Sequence, residues 1–172
     1  IDEYREARAL GIQTRPVLLG PVSFLLLGKA RSDSVEPLSL LEDLLPVYAG
    51  VLDRLAEEGA DWVQVDEPCL VLDQEEEVLQ AFRTAYTSLA ESDRDLKVLL
   101  ATYFGALEEN LSTALDLPVD ALHLDLVRGA GQIDAALEGI PDSMSLSLGV
   151  IDGRNIWKAD LREKLEVVER TV

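Results

Sequence analysis

Apolar residues cluster in five short runs along the chain: "RPVLLG" (15–20), "WVQVDEP" (62–68), "KVLLATYFG" (97–105), "ALHLDLV" (121–127) and "SLSLGVIDG" (145–153). Each has the length of a strand and stops at Gly, Pro or polar residues. The segments between them carry helical spacing. After Pro37, Leu41, Leu44, Tyr48, Val51 and Leu55 recur on one face, Ser39 and Glu42 stand at capping-box spacing, and Gly59 suits the stop. Pro46 falls inside this pattern, so a kink or a late helix start is expected there. A second helix over roughly 74–90 aligns Val78, Phe82, Tyr86 and Leu89, and weaker patterns cover about 106–115, 131–138 and 158–170. One long polar connection remains, at 28–38.

Strand alternating with helix predicts a parallel sheet with helical crossovers. Side chains alternate between the faces of a strand. Leu122, Leu124 and Leu126 therefore oppose His123 and Asp125, and Val63 and Val65 oppose Gln64 and Asp66. Thr102 opposes Ala101 and Tyr103, and Leu146 and Leu148 oppose Ser145 and Ser147. A doubly wound sheet needs central strands that are apolar on both faces, whereas a β/α barrel has helices outside only and admits polar side chains within. One-sided polarity thus favours the barrel. Five strands cannot close an eight-stranded one, so the expected fold is an incomplete TIM-type (β/α) barrel, completed by other segments or another chain. Its strand ends gather the candidate binding residues: Asp66, Thr102, Tyr103, His123, Asp125 and, within "DGRN", Asn155.

Charge narrows the partners. The 172 residues hold 33 Asp+Glu against 15 Lys+Arg, a net charge of −18. That disfavours nucleic acid and anionic membranes. A solvated acidic surface is the plain reading. A salt-adapted source is a second one, since lysine appears only at Lys29, Lys97, Lys158 and Lys164. No apolar run is long enough to span a bilayer, and "IDEYREARAL" does not resemble a signal peptide. With one cysteine, Cys69, no internal disulfide forms, and a cytoplasmic location is expected.

Candidate chemistry is sparse. Asp66 and Glu67 are adjacent, but neighbours in a strand point to opposite faces, so they cannot share one proton. Asp66 is expected to point inward, and Glu67 to make a local turn or helix contact. His123 and Asp125 share a face and have the spacing of a metal-ligand pair or an oriented base, against the plainer reading of a hydrogen-bonded core histidine. With Asp66 they are the residues an independent hydrolase site would use. Cys69 has no basic neighbour in sequence to activate it and is expected to be buried and inert. "NLS" at 110–112 fits a glycosylation acceptor, which means nothing without secretion. CxxC, HExxH, GxGxxG, P-loop and GxSxG patterns are all missing.

Longer strings carry a resemblance. "RPVLLGPVSFLLLGKA", "LLPVYAGVLDRLAEEGADWVQVDEPCLVLD", "ATYFGALEENL", "LHLDLVRG" and "GVIDGRNIWKADL" closely resemble the cobalamin-independent methionine synthases, in order and over nearly the whole chain. The resemblance implies two β/α barrels of duplicate origin, with residues 1–172 a single segment of the N-terminal one: strands three to seven of eight, the catalytic C-terminal barrel lying outside this chain. The implied reaction passes a methyl group from 5-methyltetrahydrofolate polyglutamate to the zinc-held thiolate of homocysteine.

The family's zinc lies in the C-terminal barrel, on His, Cys, Glu and Cys. Under duplication the matching positions here are Thr102, Phe104 and Asp125, which cannot replace an imidazole and a thiolate. No metal or other cofactor is therefore expected in this chain. The resemblance implies a structural and substrate-supporting segment that is inactive alone. The alternative is a free-standing degenerate barrel fragment that binds or self-associates through open sheet edges.

Overall fold

The computed structural model describes residues 1–29, 35–92 and 94–171. All five apolar runs form strands: β1 (Val17–Leu19), β2 (Trp62–Asp66), β3 (Lys97–Ala101), β4 (Ala121–Asp125) and β5 (Ser145–Gly149). They pair in parallel in the order β1-β2-β3-β4-β5. Among the described residues the outer edges of β1 and β5 are unpaired, so the sheet is open. It is the sheet of an incomplete TIM-type barrel.

Each strand stops short of its apolar run because the chain turns into rim structure there. Pro68 opens a 3-10 turn over Pro68–Val71, and Phe104 adopts φ 80, a left-handed conformation that ends extended backbone.

Among the described residues seven α-helices accompany the strands: α1 (Asp2–Ala9), α2 (Pro21–Leu27), α3 (Leu41–Glu57), α4 (Glu76–Ala90), α5 (Leu111–Asp116), α6 (Ile133–Gly139) and α7 (Leu161–Glu169). The capping box expected at Ser39 and Glu42 does not form. Residues Pro37–Leu40 wind as a 3-10 turn, Ser39 Oγ donates to Glu36 O at 2.6 Å, and Leu40 is the uncapped start of α3. Nor does Pro46 delay the helix, which runs through it from Leu41. The buried stripe of α3 is Leu41, Leu45, Leu52 and Leu55, rotated from the expected one, with Leu44, Tyr48 and Val51 at its margin. At the far end Gly59 takes φ 76, as expected of a helix stop. Of the expected connection at 28–38, residues 30–34 lie outside the described residues.

Register explains the layering. Val65, Leu100, Leu122 and Leu146 lie abreast on one face. The first three, with Val63 and Leu124, join Leu52, Leu55, Phe82, Tyr86 and Leu115 in a single core. Each fully buried Leu or Phe there contributes about 1.5–3 kcal/mol. The other face carries Gln64, Leu99, Ala121 and Ser145 in one row and Asp66, Ala101, His123 and Ser147 in the next. The core thus lies on one side of the sheet, and among the described residues no part of it covers the polar side, the open face. Among the described residues no helix is long and apolar enough to cross a membrane.

Candidate functional site

The open face gathers its polar groups toward the C-terminal ends of the strands. Asp66, the last residue of β2, accepts Gln64 Nε2 at 2.8 Å and the Tyr103 hydroxyl at 3.1 Å. Gln64 in turn accepts from Arg15 at 2.9 Å, so a hydrogen-bonded chain runs from Arg15 to Tyr103 across the face. Burial and the Asp66 carboxylate push the Tyr103 hydroxyl up to about 12, which keeps it protonated as a donor.

His123 lies on the same face but in a different pairing. Its Nδ1 shares a 2.9 Å hydrogen bond with Ser147 Oγ, and burial lowers its pKa, favouring the neutral ring. β3 separates it from β2, so the His123 and Asp66 backbones stand about 10 Å apart.

Asp125 does not orient His123. Its Oδ2 accepts the Phe104 amide at 3.0 Å, and its Oδ1 accepts the amides of Val127 and Arg128, each at 3.0 Å. The carboxylate is spent on building the rim and on holding Phe104 in its left-handed conformation. Thr102 points toward the helix layer, buried, and donates to the His123 carbonyl at 2.8 Å. Asn155 stands exposed in the loop after β5, where it donates to Asp152 and accepts the Trp157 amide. That loop also sets the Arg154 guanidinium 5.2 Å from the Phe104 ring centre.

The structure therefore brings Asp66 and Tyr103 together, sets His123 apart with Ser147, and gives Asp125 and Thr102 backbone partners. Thr102, Phe104 and Asp125 do not fit zinc. They offer one hydroxyl, one hydrocarbon ring and one carboxylate already engaged by three amides. Among the described residues no group of three His, Cys, Asp or Glu is placed to hold a metal ion.

Two residues matter more than their sequence context suggested. Glu67 has no exposed surface and accepts from Val22, Ser23 and Tyr86, and burial pushes it up to about 7. The signal was present: Glu67 continues the period-two series of Val63 and Val65, which points into the helix layer. Asn110 is buried, and its Nδ2 donates to the carbonyls of Leu70 and Leu72 at 2.8 Å each, fixing the turn after Pro68. Cys69 is free and buried, as expected, and burial pushes its thiol up.

A cleft of about 400 Å³ opens at the other end of the sheet, lined by Arg8, Arg15, Trp62, Ser145 and Ser147. It sits at the N-terminal ends of the strands, whereas the sites of β/α barrels form at the C-terminal ends. The polar rim is therefore the better candidate.

Comparison with known proteins places this arrangement. The profile of the family described as "Cobalamin-independent synthase, N-terminal domain" matches residues 1–172. A 5-methyltetrahydropteroyltriglutamate–homocysteine methyltransferase of Nitrobacter winogradskyi is 58% identical over 172 residues, covering 100% of this chain and 22% of the relative. The enzymes of the same name from Salinibacter ruber and Parvibaculum lavamentivorans are 58% and 56% identical, each over all of this chain and 22% and 23% of their own. The chain thus spans about a fifth of the length of the relatives it matches.

Proposed function

The chain belongs to the cobalamin-independent synthase family, whose N-terminal-domain profile covers it from end to end, and from that premise we propose that it is the middle of an N-terminal (β/α) barrel in a longer methyltransferase. The segment supplies strands three to seven of eight. The whole protein transfers methyl from 5-methyltetrahydrofolate polyglutamate to homocysteine in the cytoplasm, with zinc held in the C-terminal barrel. This segment builds the barrel wall and supports substrate, and has no activity alone. Asp66, Tyr103 and His123 are its groups on the open face, and Asn155 stands on a rim loop. Thr102 and Asp125 hold the rim that carries them.

One observation carries the reading: among the described residues, five consecutive parallel strands unpaired at both outer edges, in a chain covering 22% of its relatives. Such a sheet leaves unpaired backbone groups at both sides and a polar face without its opposite wall. Methyl transfer and bound zinc, measured on the full-length gene product and on the 172-residue chain, test it. The full-length protein should turn over with zinc bound, and the chain should do neither. Turnover by the chain alone, or stoichiometric zinc in it, would overturn the reading.

A second reading, a self-associating module, draws on the apolar groove beside β1. Leu18, Leu19, Phe24, Val47, Tyr48 and Val51 line about 260 Å³ there, next to the unpaired edge. Light scattering separates the two, since a stable closed dimer of the chain favours the module.

A further inference from the structure

Glu67 is the only acidic side chain without exposed surface among the described residues. It lies beneath the C-terminal rim, on the side of β2 opposite Asp66. Its Oε2 accepts the Ser23 amide at 2.8 Å, and its Oε1 accepts the Tyr86 hydroxyl at 3.2 Å and the Val22 amide at 3.4 Å. Gly20 comes so close that a Cβ there would overlap the carboxyl. Backbone bonds complete the clasp: Gly20 N–H donates to Asp66 O at 2.7 Å, and Glu67 N–H to Ala101 O at 2.9 Å. Ser23 Oγ also accepts the Cys69 amide at 3.1 Å. One carboxyl thus joins the start of α2 to the end of β2 and to α4, and Ser23 ties in the turn at Pro68–Val71. Burying it is costly unless its bonds are kept.

We infer that Glu67 is a positioning residue. By latching the β1–α2 turn to the end of β2, it fixes the peptide between residues 66 and 67 and so holds Asp66 where it meets Tyr103 on the open face. It touches nothing on that face and acts only through Asp66. The latch goes beyond the proposed function and makes the rim geometry depend on one proton.

Of the other titratable groups, Asp66 faces the opposite side of the sheet, and those that face Glu67 from α3, α4 and the turn are all pushed upward. Tyr86 from α4 is held well above its ordinary value, and Tyr48 from α3 is pushed up to about 12. The Cys69 thiol from the turn is pushed up, and Tyr103 beyond Asp66 lies at about 12. α2 offers amides and Ser23 and no titratable side chain. Burial pushes Glu67 from 4.5 to about 7, against the pull of its bonds from Ser23, Tyr86 and Val22. The neutral carboxyl accepts from Ser23 through one oxygen and can donate to Tyr86 through the other, and glutamine reproduces these two bonds while giving up only the long 3.4 Å bond from the Val22 amide. An opened latch returns the carboxyl to its ordinary value, so the closed state binds the proton more tightly and rising pH favours opening. The opening equilibrium should climb by up to about tenfold per pH unit between 4.5 and about 7, then level off.

Hydrogen exchange by mass spectrometry on the full-length gene product tests this, without substrate and corrected for intrinsic rates, in peptides covering 17–27, 64–72 and 99–105. In the wild type, opening of all three should rise together with pH across that window. Glu67→Gln should stay protected and pH-independent, and Glu67→Ala should open them by about tenfold or more at every pH. Exchange in 17–27 that ignores pH in the wild type, or the same pH rise in Glu67→Gln, would overturn the latch. Opening confined to 17–27, with 64–72 and 99–105 unmoved, would overturn the positioning of Asp66. If Glu67→Ala does not fold, the wild type and Glu67→Gln still decide. A full-length protein without methyl transfer would overturn the proposed function and leave this result readable.

Discussion

At the scale of single residues, the rim is held by side chains that replace backbone partners. Thr102 bonds to the main chain of β4, and Asn110, Asp125 and Glu67 each bond to main-chain groups of a neighbouring βα connection. Thr102→Val keeps the shape and removes the bond to His123 O, so it should cost about 1 kcal/mol in a denaturant titration. Asn110→Ala leaves the buried Leu70 carbonyl and the part-buried Leu72 carbonyl short of a donor and should cost about 1–3 kcal/mol. Glu67 adds a pH signature. Its folded-state value, about 7, lies above the ordinary 4.5, so the native state binds the proton more tightly than the unfolded chain. Its contribution is full below 4.5 and is lost as pH rises through about 7, a loss of roughly 3 kcal/mol as an upper bound. Glu67→Gln should flatten that part of a stability–pH curve. If the curve falls equally in both proteins, another group is responsible.

At the scale of elements, the five strands were legible because period-two alternation survives tertiary context, and α4 because Phe82, Tyr86 and Leu89 hold one face. α2 was not. Its seven residues begin at Pro21, after Gly20, and are apolar nearly all round, so no amphipathic period marks them. The start of α3 departs from the expected capping box because that box is a local pattern. Pro37 begins a 3-10 turn that brings Ser39 back to Glu36 O instead of onto the helix amides. Asp125 shows the same limit within the site. Its parity with His123 was readable, while its use by three backbone amides depends on where the rim loops return. Pro46 inside α3 removes one helical donor on the exposed side. Pro46→Ala should therefore stabilise the protein by about 1–3 kcal/mol, read as a raised melting temperature. An unchanged or lowered value would mean that the proline is accommodated without cost.

At the scale of the whole molecule, one face of the sheet is finished and the other is not. The helix-covered face carries a continuous core. The open face, the β1 and β5 edges and the apolar groove at Phe24 and Val47 lack a covering partner among the described residues. The isolated chain should accordingly bind a hydrophobic dye and associate in a concentration-dependent way, with no discrete dimer, while the full-length protein does neither. A net charge of −18 adds self-repulsion, so moderate salt should raise the chain's melting temperature. The central claim is that these 172 residues are the middle of a much longer polypeptide's N-terminal barrel, and its most direct test is the intact mass of the gene's product in its source cell. The expected product is a single polypeptide four to five times as long as this chain, the ratio of its relatives' length to the 22% that it matches. A mature product of 172 residues would contradict it.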